Sequence, residues 1–141
     1  MFSKQGFRNF LKIVLILSLS SLVFTAGLKL LCKFTGVELP YRLKYKDVVF
    51  EKGKYNLEGL KDPNAPRYFL RIKKGRKVLC LIQGEQLQYE NGMRDPSIPD
   101  KCTLKMKKNL EEKVIYFTIE TGKKNRMGPY QKLRFKMEYE E

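Results

Sequence analysis

Leu133, Phe135, Met137 and Tyr139 alternate with Arg134, Lys136 and Glu138, and a period of two puts every second side chain on one face of an extended strand. The same alternation, broken by glycine and proline, recurs along the chain beyond Gly36, which confines the fold to successive strands. Tyr41, Leu43 and Tyr45 stand between Arg42, Lys44 and Lys46. The parity then shifts to Val48 and Phe50, which predicts one strand with a bulge near Asp47. Arg67 to Lys73 and Lys77 to Ile82 are apolar on both faces in places, the pattern of strands central in a sheet, and they join across Lys74-Gly75-Arg76. Leu87 and Tyr89 open a further strand that ends at Asn91-Gly92. Cys102, Leu104 and Met106 alternate with Thr103, Lys105 and Lys107, and Lys113 to Thr121 is rich in strand formers. Seven or eight strands in about a hundred residues predict an all-β domain, a small antiparallel β-sandwich, jelly roll or barrel.

A different pattern precedes it. Lys4, Arg8 and Lys12 lead into Ile13–Leu28, sixteen residues without a charge. Such a run predicts a single hydrophobic helix acting as membrane anchor or export signal. A spanning helix needs about 20 residues, a length reached with Leu11, Leu30 and Leu31 if Lys12 and Lys29 extend toward the headgroups. Thr25-Ala26-Gly27 offers small residues to a signal peptidase, so a secreted soluble binding domain cleaved near Gly27 is an alternative. The expected organisation is an anchor or signal over 1–36 and a basic β-rich domain over 37–141. Lys29, Lys33, Arg42, Lys44 and Lys46 outnumber the bases before the run, which alone would hold the domain inside. The short basic tail abutting the run has the form of an export signal, and the expected placement of the domain is extracytoplasmic, periplasmic or extracellular.

Lys4-Gln5-Gly6-Phe7 ahead of a long apolar helix resembles the cleavage region of type IV pilins and pseudopilins. The resemblance covers about 25 residues and implies processing between Gly6 and Phe7 and a structural subunit whose helix packs with copies of itself. The glutamate usual at the fifth mature position of that family is Leu11 here, and Arg8 and Lys12 fall within the would-be packing helix.

Charge points to partners. Residues 1–36 hold five of the 29 Lys and Arg and none of the 15 Asp and Glu, so the remainder carries 24 bases against 15 acids. A surplus of that sign attracts anionic lipid or an acidic protein. It gathers at three turns: Lys73, Lys74, Arg76 and Lys77; Lys105, Lys107 and Lys108; Lys123, Lys124 and Arg126. If strands follow one another up and down in sequence order, the first and third clusters share one end and form a rim for an anionic partner. Nucleic acid is not expected, because Tyr41, Tyr45, Tyr68 and Tyr130, which would have to stack on bases, fit the core parity instead.

The chain has no histidine, so serine and cysteine nucleophiles lack their usual base. Ser97 is the one serine after residue 21. The acids stand mostly singly at turns and strand ends, Glu111-Glu112 are adjacent in an expected turn, and the glycines do not group as a phosphate loop. Cys32, Cys80 and Cys102 lack metal spacing, so no metal or other cofactor is expected. Cys80 and Cys102 are the expected disulfide in an oxidising compartment, leaving Cys32 unpaired, with two buried thiols as the alternative. These readings converge on a non-enzymatic, membrane-anchored binding or assembly subunit of a cell-envelope complex.

Overall fold

The computed structural model describes residues 27–89, 96–123 and 130–140. The expected N-terminal helix, the Asn91-Gly92 turn, Lys124 and Arg126 lie outside the described residues. The strands are β1 (Lys29–Leu39), β2 (Arg42–Tyr45), β3 (Val48–Phe50), β4 (Gly53–Lys61), β5 (Tyr68–Lys74), β6 (Lys77–Leu87), β7 (Thr103–Asn109), β8 (Val114–Glu120) and β9 (Lys132–Glu140). All pair antiparallel, and no helix occurs among the described residues. None is therefore long and apolar enough there to cross a membrane.

Strand β9 organises the sheet. Along one edge it pairs with β8 from Lys132 to Glu138. Along the other, Lys132–Arg134 pairs with Glu85–Leu87 of β6, and Glu138–Glu140 with Arg42–Lys44 of β2. One arm thus runs β1-β4-β5-β6, and the other carries β3-β2 and β7-β8 about β9. The clean alternation read from the sequence holds, with Leu133, Phe135 and Met137 no more than 1% exposed.

The inward side chains of both arms make one core. Tyr55, Leu57, Leu70, Ile72 and Ile82 from the first arm join Leu43, Phe50, Ile115, Phe117, Ile119, Leu133, Phe135 and Met137 from the second. Each such side chain contributes roughly 1.5–3 kcal/mol by leaving water. Glycine sets two of the close approaches. A Cβ on Gly59 would lie 3.4 Å from Ile119, so β4 meets β8 directly across the core. At Gly84 a Cβ would lie 2.3 Å from the Phe135 ring and 2.6 Å from the Arg134 carbonyl oxygen.

Several expectations are corrected. Among the described residues the strands number nine rather than seven or eight. What reads as one bulged strand over 41–50 is the β2-β3 hairpin, with Tyr45 opposite Val48 and Lys46 left-handed at φ 53°. Reversal at this two-residue turn, not a bulge, produces the parity shift. The separate strands expected over 77–82 and from Leu87 are the single strand β6, because Gly84 admits Phe135 and does not end the strand. β1 begins at Lys29 and runs through position 37.

The expected cysteine pairing is corrected as well. Cys32 in β1 is bonded to Cys102, just before β7, with Cα atoms 5.9 Å apart. Cys80 is a buried free thiol. β1 and β7 are the outer strands of the two arms, so the bond joins one to the other. Cys80 instead points into the core from β6, paired in register with Ile72 of β5, and Cys102 meets an outer strand rather than an inner one. Burial pushes the Cys80 thiol above its ordinary pKa, which keeps it protonated.

Candidate functional site

The register divides the strands between two ends. Lys29 opposes Lys61, Lys61 opposes Tyr68, and Tyr68 opposes Gly84. Leu87 then opposes Lys132, which opposes Glu120, which opposes Thr103. All of these share the end at which β1 begins. At the other end Leu39 opposes Gly53, Asn56 opposes Lys73, Lys74 opposes Lys77 and Asn109 opposes Val114.

The β5-β6 turn stands at that second end, farthest from the start of β1. Gly75, at φ 61°, supplies the left-handed residue that a two-residue hairpin loop with glycine first requires. The four bases there differ in state. Lys73 folds back, its Nζ 3.4 Å from Glu58 Oε1, beside Arg71 Nε at 3.0 Å from the same oxygen. Burial pushes the Glu58 carboxyl up, but the Arg71 hydrogen bond and the charges of Arg71 and Lys73 outweigh it and hold the group below its usual range. Lys73 is thereby committed within the fold. Lys74 Nζ sits over the Tyr55 ring, 5.2 Å from its centre. Arg76 and Lys77 are exposed.

Lys123 lies at the opposite end, three residues past Glu120, with its amide donating to the Pro99 carbonyl at 2.8 Å. The rim expected from up-and-down order therefore does not assemble. The reason is a reversal too few: the two strands expected over 77–82 and from Leu87 are the single strand β6, so the β8-β9 connection falls at the finish of β6 and the β5-β6 turn at its start. The eleven residues of β6 separate Lys123 from that turn by roughly 35 Å. Lys105 and Lys107 stand exposed along β7, and Lys108 is half-buried.

Sequence reasoning missed two side-chain groupings. Lys108 Nζ lies 4.6 and 4.8 Å from the ring centres of Tyr41 and Tyr139, which are 5.5 Å apart, a contact between β7 and the chain beside β2 that pairwise alternation cannot announce. The other lines a shallow cleft of about 370 Å³ with Gln83, Gly84, Glu85, Tyr116, Arg134 and Lys136. Arg134 Nε donates to Glu85 at 2.7 Å and its guanidinium lies 4.6 Å from the Tyr116 ring centre. The Tyr116 hydroxyl donates to Glu112 at 2.8 Å, and that bond raises the tyrosine's pKa. Arg134, Glu85 and Tyr116 thus tie β9, β6 and β8 to one another across the cleft. Among the described residues no three His, Cys, Asp or Glu side chains converge on a metal position.

Comparison with protein families, with curated proteins and with solved structures finds no match.

Proposed function

We propose that this chain is a membrane-anchored, non-enzymatic binding or assembly subunit of a cell-envelope complex, its β-domain extracytoplasmic, with the β5-β6 turn contacting an anionic partner. The observation that carries the reading is the placement of the two ends. The apolar run Ile13–Leu28 leads directly into β1 at Lys29, so an anchor would hold the first end against the bilayer. Lys74, Arg76 and Lys77 then project away from that bilayer. The Cys32–Cys102 bond adds support, since a disulfide persists in an oxidising compartment outside the cytoplasm.

Replacing Lys74, Arg76 and Lys77 together by glutamine tests the contact. The variant should release envelope proteins that co-purify with the full chain at lower salt than the parent does. An unchanged salt profile removes the turn from the proposal.

One observation favours a second reading, a secreted domain released near Gly27. Leu31 is 8% exposed and belongs to the core, so it is not free to lengthen the apolar run. Ile13–Leu28 supplies sixteen residues, about 24 Å of helix against a hydrocarbon core of about 30 Å. The intact mass of the chain recovered from cells separates the readings. A start near Leu28 means secretion, a start at Phe7 means the pilin-like alternative, and retention of the first six residues means an uncleaved anchor.

A further inference from the structure

We infer that the end of the domain at which β1 begins is a basic rim that rests on an anionic bilayer, with Lys29, Lys61, Lys101 and Lys123 facing the headgroups. The inference rests on the anchored reading for the position of that bilayer, but its surface is built by the fold. Lys29 and Lys61 are direct cross-strand partners, a placement in which like charges repel unless an anion lies near. From Cys32, three residues beyond Lys29, the disulfide leads to Cys102 and its neighbour Lys101. The backbone of Asp100 and Lys101 packs against Gly122, where a Cβ would come within 2.6 Å of it, and Lys123 follows directly. The β1-β4 ladder, the disulfide and the Gly122 contact thus gather lysines from four separate parts of the sequence at one end.

Among the described residues these lysines are not neutralised by the protein. None of the four pairs with a carboxylate among the described residues. The acids nearby are mostly withdrawn: Asp62 is 8% exposed and bound to Arg67 at 2.9 Å, while Glu120 is 6% exposed and accepts from the Tyr89 hydroxyl at 2.7 Å. Asp100 is exposed between them. At the other end, by contrast, Glu51 and Glu140 both reach Arg42, and Glu38, Glu111, Glu112 and Glu138 are exposed. That end also carries exposed Lys46, Lys52, Lys54, Lys74, Arg76 and Lys77, so the orientation, first end down on a negative surface, comes from the anchored reading and not from net charge.

The test reconstitutes the full chain into vesicles of phosphatidylcholine alone and into vesicles with about one-third phosphatidylglycerol, a negative surface of the kind that attracts lysine. Lysine acylation by an N-hydroxysuccinimide ester is then followed peptide by peptide by mass spectrometry. Lys29, Lys61, Lys101 and Lys123 should react about fivefold more slowly on the anionic vesicles, the factor expected for one lysine held at such a surface. Lys74 and Lys77 should react equally on both. The difference should vanish at about 0.5 M salt, where screening is short-ranged. A triple Lys61→Gln, Lys101→Gln, Lys123→Gln variant should restore the rate at Lys29.

Equal rates at the four lysines in a chain that floats with both vesicles would overturn the inference and leave the anchor standing. Slowing at Lys74 and Lys77 instead would overturn it by reversing the orientation. A chain that floats only with anionic vesicles, with the four lysines slowed, would support the rim and refute the anchor. Flotation with neither refutes both.

Discussion

Replacing Cys32 and Cys102 together by serine should cost the domain about 4 kcal/mol of stability, the value that chain-entropy closure gives for residues 70 apart in sequence. The span explains the size. The bond closes all of β2 to β6 into one covalent loop, so its loss frees about half of the unfolded chain. It also releases the two outer strands β1 and β7, with Cys32 only 3% exposed, so the native state gains freedom as well. The assay is urea unfolding of the full chain in detergent, followed by far-ultraviolet circular dichroism, for the parent, the double variant and the parent under reductant. The melting temperature should fall by roughly 15–25 °C for a domain of this size. The reduced parent should behave as the double variant does, and Cys80→Ala should leave the effect of reductant intact. A loss below about 1 kcal/mol would refute the entropic argument, and peptide mapping that found Cys80 in a disulfide would refute the pairing itself.

Gly84→Ala should destabilise by about 1–3 kcal/mol, because its Cβ would overlap the Phe135 ring and the Arg134 carbonyl; thermal unfolding that matches the parent would refute that packing. Glu58→Gln should cost about 2 kcal/mol at neutral pH, since it leaves Arg71 and Lys73 half-buried without their counter-charge. The folded carboxyl titrates below its unfolded value, so its stabilisation is complete above the ordinary carboxylate range and is lost as pH falls through the folded pKa. The glutamine variant should therefore show a shallower loss of stability in acid, and an unchanged acid limb would refute the assignment. Phe135→Ala should cost about 3–5 kcal/mol, read from chemical unfolding, with a near-neutral result placing β9 wrongly.

Some of this architecture is legible in the residues and some is not, for physical reasons. β8 and β9 bury an apolar face and lie between partners, and their composition shows it, whereas β7 is an edge strand whose Met106 is 41% exposed despite the alternation that announces the strand. β1 is hidden because Lys29, Leu30, Leu31 and Cys32 continue the apolar run before them and lack alternation, with the register shifting between Leu30 and Cys32. The β2-β3 turn is hidden because its left-handed residue is Lys46, where glycine or asparagine would ordinarily signal it. Gly84 reads as a break, but its purpose lies in Phe135, fifty-one positions away in sequence. The disulfide and the two basic ends depend on which strands are neighbours, a long-range property that local patterns do not encode. The basic character of the β5-β6 turn was readable; that Lys73 is withdrawn onto Glu58 and that Lys123 faces the other way were not.

The position of β9 also governs when the domain can come into being. It follows the eight strands it organises, and among the described residues it is the strand through which the β7-β8 and β2-β3 hairpins pair with the rest of the sheet, the Cys32–Cys102 bond being a separate, covalent tie. A chain emerging from a ribosome or a translocation channel, N-terminus first, can form the β1-β4-β5-β6 arm early but must hold two hairpins without their partner until Lys132–Glu140 arrives. Those hairpins are short, and isolated hairpins are marginal in water. The arrival of β9 therefore sets the moment at which these hairpins join the sheet, and truncation before Lys132 becomes a defect of assembly rather than of one strand.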